Sequence, residues 1–322
     1  MECGSSHLPH LLLLFFSLLT LSVGKRSPDF RICAYNVQKF DKQKSSNYKV
    51  LHTLTRVVYR CDICLLQHVV DPDGSAIKKL LTSINRYHKM ESERYEGFTY
   101  KSVSSKPLGR SPTDMQQYVF IYRTQTVNET GQYQYQSEPQ VFTRDPFAVQ
   151  FQSSRTKINS FVLIALHSEP PQAVTEMNQL HDVFLEVIKK WDNKNVMFLG
   201  DFHAGCAYMT RSDKKNIQLF SNTSFSWLIG DKVDTTVTDK TNCPYDRIVV
   251  HGKTFLKAIT PFSAQVYNFG KQLKISKSDV TRISDHFPIE VTLRSRASLP
   301  QVMTLMSLLL SISVVTQSFV SL

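Results

Sequence analysis

His167 closes the apolar run "FVLIALH", Asp201 closes "NVMFLGD", Asp246 opens "DRIVV", and Asp285-His286 opens "DHFPIEV". Asn36 follows "RICAY" in the same way, and Gln67 and His68 follow "DICLL". Apolar runs of this length read as buried strands, and the polar residues at their ends fall at sheet rims, where chemistry is usually carried out. Carboxylate and amide oxygens hold hard divalent cations, and a histidine backed by a carboxylate moves protons. Gathered on one rim, Asn36, His167, Asp201, Asp246, Asp285 and His286 suit metal-assisted phosphodiester hydrolysis. That reaction needs a deprotonated water, neutralised phosphoryl oxygens and a proton or cation for the leaving oxygen. Taken singly each has a plainer reading: "GD" can be a turn with a capping Asp, and a histidine beside a strand is commonly a structural group.

The elements that must position these residues are strands at 31–35, 62–66, 118–122, 161–166, 195–199, 247–250 and 287–293, alternating with helices. Val50, Leu51, Leu54, Val57 and Val58 repeat at helical spacing, as do Ile77, Leu80, Leu81 and Ile84. The longest helix is expected over 176–191, with Met177, Leu180, Phe184, Val187, Ile188 and Trp191 as its core-facing stripe. Near-continuous apolar strands with helices between them indicate an α/β layered fold whose sheets are covered on their outer faces.

The 322 residues are 42% hydrophobic and show no repeat or low-complexity run, so one globular domain is expected over 25–296. Leu11–Val23 has the length and character of a signal peptide, with residues 1–24 as the leader; a buried N-terminal helix is the alternative. Residues 297–322 contain no charge, hold "LMSLLLSISVV" and follow small residues, a layout that fits a GPI-attachment signal. A retained spanning anchor and a free secreted form are the other readings. The net charge of +11 rises by one without the leader, which contains Glu2 and no Lys or Arg. Such a surface suits a polyanion, nucleic acid or an acidic membrane, although a basic surface can also serve solubility alone. Cys206 and Cys243, in polar loop sequence, are expected to form a disulfide, whereas Cys33, Cys61 and Cys64 lie in or beside apolar strands and read as buried thiols. Asn128-Glu-Thr and Asn222-Thr-Ser are glycosylation sequons expected on exposed loops.

The blocks "RICAYNVQ", "SKPLGR", "TRDPFAVQF", "ALHSEP", "LGDFHAGC", "DTTVTDKTNCPYDRIVVHG" and "ISDHFPIEV" occur in the order found in the deoxyribonuclease I family, which the chain resembles from Phe30 to Arg294. "KNIQL…WLIGDKVDTTV" is similar to the DNase gamma branch, and the tail to DNase X. The resemblance implies a four-layer αββα sandwich, two packed mixed sheets with helices outside. It also implies a monomeric endodeoxyribonuclease that uses Mg²⁺ and Ca²⁺ and leaves 5′-phosphate and 3′-hydroxyl ends. In that scheme Asn36, Asp201 and Asp285 hold metal and the scissile phosphate, and His286 with Asp246 and His167 form the acid/base pair. Arg144 touches backbone phosphate, Thr241 lines a metal site, and Cys206 pairs with Cys243. Actin binding does not carry over from these motifs.

Three departures bear on activity. His68 stands where the family has a metal-binding Glu, which exchanges an anionic oxygen donor for a neutral nitrogen and favours Mn²⁺ or another softer ion over Mg²⁺. His203 stands where the family has a phosphate-orienting Asn. Gln116 takes the place of the Glu behind His167, in a loop one residue longer, and Asp114 and Val70 replace groove-contacting Tyr and Arg. Two readings follow: a nuclease with a weakened site, or a pseudonuclease that binds DNA or a protein without cutting. A change of substrate to another phosphoester is disfavoured by the intact "DTTVTDKTNCPYDR" block.

Overall fold

The computed structural model describes residues 30–91 and 99–296. The leader and tail segments lie outside the described residues, as do residues 25–29 of the expected domain. The strands are β1 (Phe30–Phe40), β2 (Ile63–Val69), β3 (Tyr100–Ser104), β4 (Gln117–Arg123), β5 (Asn128–Gln134), β6 (Phe147–Gln152), β7 (Ser160–Ala165), β8 (Val196–Asp201), β9 (Phe225–Trp227), β10 (Asp246–His251), β11 (Gln265–Val266) and β12 (Ile289–Leu293). They form two six-stranded mixed sheets, ordered β11-β12-β1-β2-β4-β3 and β5-β6-β7-β8-β10-β9.

Strand periodicity builds the layers. Along β1, Ile32 and Ala34 face the second sheet, while Cys33, Tyr35 and Val37 face helices Tyr48–Tyr59, Ser75–Glu91 and Lys277–Ile283. Along β8, Met197 and Leu199 face inward, and Val196 and Phe198 face outward toward helix Ala173–Trp191. Both faces of each central strand are therefore apolar, which is why these strands read as unbroken hydrophobic runs. The result is the four-layer αββα sandwich.

The strands that sequence reading passes over are β3, β5, β6, β9 and β11. β3, β5, β9 and β11 lie at sheet edges, and β5 ("NETGQYQ") is polar and alternately exposed, so neither hydrophobic run nor length marks it. Asn128 opens this edge strand, exposed, instead of lying in a loop, and Asn222 is a half-buried helix end whose amide oxygen accepts from Ser224. The long helix starts at Ala173, three residues before its expected start, because the Pro170–Gln172 turn feeds directly into it.

The reading of Cys33 and Cys61 as thiols is corrected. Parallel pairing of β1 with β2 sets Ile32 beside Ile63, and this brings Cys61, just before β2, to a Cα–Cα distance of 6.1 Å from Cys33, with which it forms a disulfide. Cys206–Cys243 is bonded as expected, and Cys64 is the buried free thiol, pushed up to about 12 by burial.

Candidate active site

The inward ends of β1, β2, β7, β8 and β10 converge on Asp201. Gly200 makes this possible: at φ +136° a side chain is disfavoured, and a Cβ would sit 2.3 Å from the Leu166 carbonyl and 2.4 Å from Gln67 Nε2. Into that space comes Gln67, fully buried, which donates to Leu166 O (2.5 Å) and accepts from Asp201 N (3.0 Å), tying the two sheets together at the rim. Sequence reading places Gln67 on the rim without this role, because its partners Leu166 and Asp201 come from the other sheet and no local pattern marks them.

Asp201 is buried among donors. Its Oδ2 accepts from Asn36 Nδ2 at 2.9 Å and lies 3.5 Å from His286 Nε2 and 3.7 Å from His167 Nε2; its Oδ1 lies 3.2 Å from His203 Nδ1. Burial pushes this carboxyl up, but His203, His286, His167 and the Asn36 hydrogen bond outweigh it and hold Asp201 well below the usual carboxylate range. Asn36 is itself fixed, its side-chain oxygen accepting from Gln38 N and its carbonyl from Ser284 Oγ.

The two expected proton carriers are in different states. His286 Nδ1 is 2.7 Å from Asp246 Oδ2, and although burial works against the charged ring, Asp246 and Asp201 raise it to about 10. Burial raises Asp246, with His286 pulling the other way. His167 is held well below its ordinary value, by burial first and then by the Arg144 guanidinium. Its Nδ1 is 3.0 Å from Gln116 Oε1, and its backbone N–H donates to the Tyr118 hydroxyl. Because Gln116 Nε2 donates to Asp114 Oδ1 (3.1 Å), the amide oxygen is the atom turned to His167; this makes Nδ1 the protonated nitrogen and leaves a lone pair on Nε2, toward Asp201.

His68 sits in a break of the β2 register between Leu66 and Val69 at φ +59°, a bulge that turns its ring to within 5.5 Å of His167. It is half-buried and has no hydrogen bond or ion pair with a described residue. Burial and Arg144 lower it to about 4, so the ring is neutral and its nitrogens are available as donors. Arg144, 3% exposed, donates Nε to His167 O (3.0 Å) and pairs with Asp114 (3.3 Å) and Glu169 (2.9 Å), so two carboxylates meet the one guanidinium expected to receive phosphate. Glu169 is a member of this cluster that sequence reading misses, as is Lys44, whose ammonium donates to Val37 O and Gln38 O and is lowered to about 8 by burial. Asp285 is half-exposed at the edge, 3.9 Å from His286 Nε2.

Thr241 is not in this cluster. It donates to Thr236 Oγ1, which donates to Asp234, and it lines a separate surface cavity with Asp234, Asp239 and Lys277.

The residues fit a divalent cation. Asp201 is ionised, the buried Asp246 Oδ1 has no hydrogen-bond partner among the described residues, and ligand oxygens of Asp201 and Asp246 lie within 4.8 Å of each other. Three imidazoles approach Asp201 and a fourth, His68, stands next to His167; the charged His286 ring has no lone pair for a metal, so nitrogen ligation falls to a neutral ring such as His68.

Residues 33–286 match the endonuclease/exonuclease/phosphatase family. The chain belongs to this family, in its deoxyribonuclease I group. It is 41% identical to deoxyribonuclease-1 of Gallus gallus over 83% of this chain and 93% of that protein. It is 39% identical to human deoxyribonuclease-1-like 1 (91% and 94% covered) and 37% to human deoxyribonuclease gamma (86% and 90%). The fold recurs in the human Nocturnin catalytic domain with bound sulfate, at a TM-score of 0.57 and 12% identity over 85% of this chain and 97% of that one. It recurs also in D. rerio TDP2 complexed with single-strand DNA product, at 0.54 and 15% over 83% and 100%.

Proposed function

We propose that the protein is a divalent-metal-dependent endodeoxyribonuclease that hydrolyses DNA to 5′-phosphate and 3′-hydroxyl ends, with a site altered toward softer metals and slowed in Mg²⁺. The observation that carries this reading is a charged His286 and a neutral His167, both directed at one ionised carboxylate, Asp201. His167, with its Nε2 lone pair, accepts the proton of the attacking water; His286, as imidazolium backed by Asp246, protonates the leaving oxygen. Asn36, Asp201, Asp285 and His68 would hold the cation, whose chemistry is to neutralise charge on the phosphoryl oxygens. His203 and Arg144 face the phosphate, and the basic surface draws in the duplex. The leader, the sequons and the apolar tail support a secreted or cell-surface route, with the tail as a GPI signal or retained anchor.

A second reading, a non-cutting DNA- or protein-binding surface protein, is favoured by one observation: Asp114 and Glu169 already occupy Arg144. Nicking of supercoiled plasmid in Mg²⁺ plus Ca²⁺ and, separately, in Mn²⁺ decides between them. Cleavage in Mn²⁺ that Asp201→Ala/His286→Ala abolishes is expected; a folded protein that cuts in neither condition is a pseudonuclease.

A further inference from the structure

At the end of the sandwich opposite the catalytic rim, three segments adjoin. Arg294 N donates to Ala258 O and Lys157 N to Arg294 O, while Arg296 N donates to Arg155 O. Thr260 N and Ser263 Oγ donate to Thr292 O, so helix Gly252–Ala258 and the loop after it flank the same edge. These segments carry Arg155, Lys157, Lys253, Lys257, Arg294 and Arg296, of which all but the half-buried Arg155 are exposed, and no Asp or Glu occurs in 153–159, 252–265 or 294–296. Among the described residues no carboxylate pairs with any of the six. Beside them Phe262 is fully exposed (102%) at φ +58°, a conformation unfavourable for a bulky residue, and Leu256 is 41% exposed. The uncharged segment 297–322 begins directly after Arg296.

We propose that this end of the domain is a docking face for an anionic lipid membrane, with Phe262 entering the headgroup region and the six basic residues meeting lipid phosphate and carboxylate. It rests on reading 297–322 as a membrane-attachment segment. Basic residues without counter-charges around an exposed aromatic are the composition of interfacial membrane contacts, and an attachment segment leaving from Arg296 presses this face against the bilayer. A nucleic-acid strand could stack on Phe262 but has no use for the exposed aliphatic Leu256, and only a membrane accounts for an attachment segment leaving from Arg296. The consequence is orientation. β1 runs from Phe30, paired with Leu293 at this end, to Asn36 in the site, six residues or about 20 Å. The catalytic rim then points away from the membrane, toward extracellular polyanion.

The test uses full-length Phe262→Trp protein on phosphatidylserine-containing and phosphatidylcholine-only vesicles doped with brominated lipid, with the unsubstituted protein as the background for its two tryptophans. Quenching that is stronger on anionic vesicles, and that Lys253→Glu/Lys257→Glu weakens at least tenfold in apparent affinity at roughly fivefold per basic residue, is the expected result. Retention on vesicles without quenching of the introduced tryptophan overturns the face and leaves the tail as anchor. Absence from every vesicle overturns both. Loss of DNA affinity in the charge-reversed protein with vesicle binding unchanged reassigns the face to nucleic acid and overturns the proposal.

Discussion

Replacing Gln116 by Glu restores a carboxylate behind His167, and the geometry predicts that the single change fails where a paired change succeeds. The His167 Nδ1–Gln116 Oε1 contact of 3.0 Å is a neutral hydrogen bond, worth about 1 kcal/mol, and a carboxylate acceptor raises that to about 2–2.5 kcal/mol once His167 takes a proton. A gain of about 1–1.5 kcal/mol in the transition state is roughly a tenfold faster reaction. However, the atom that becomes the second carboxylate oxygen is Gln116 Nε2, which lies 3.1 Å from Asp114 Oδ1. Two carboxylates at that distance repel by roughly 5 kcal/mol at an effective dielectric of about 20. Even cut severalfold by solvent at the half-exposed Asp114, this repulsion holds Glu at position 116 protonated or turned away from His167, and the gain is lost. Gln116→Glu alone is therefore expected to change the Mg²⁺ rate by less than about twofold. Asp114→Asn/Gln116→Glu should raise it about tenfold over Asp114→Asn alone, the control for freeing Arg144. Initial rates of plasmid nicking with all four proteins measure this. A double variant no faster than Asp114→Asn would refute the assignment of Gln116 as the weak link behind His167.

His286 is raised from about 6.5 to about 10, so its stabilisation is fully present below about pH 6.5 and is lost as pH rises through about 10. Melting temperature should fall from pH 7 to 10, and Asp246→Asn should remove most of that slope and move the basic limb of the pH–rate profile from near 10 toward neutrality. His68→Glu should raise the Mg²⁺-to-Mn²⁺ rate ratio by at least tenfold in the same nicking assay; an unchanged ratio would remove His68 from the metal site. Cys206→Ser/Cys243→Ser opens a link between residues 37 apart and should lower unfolding free energy in urea by about 3–4 kcal/mol.

The central strands β1, β8 and β10 were legible as unbroken apolar runs because both of their faces are covered, and the strand-end polar residues were legible because a layered sheet exposes its rims. Sequence therefore determined the α/β layered class and, through the family resemblance, its four-layer αββα form, and it picked out the candidate histidines and aspartates of the rim and Gln116 beside His167. Three things only the tertiary structure decided. Cys33 and Cys61 meet because β1 and β2 run parallel, a contact between residues 28 apart that no local pattern encodes. Gln67 and Gly200 come together because two sheets press face to face at one point. The protonation states of His167 and His286 differ because one imidazole is buried against an amide and a guanidinium and the other against two carboxylates. Residue types name the groups that can titrate or ligate; how long-range packing arranges charge and solvent around each of them sets what they do.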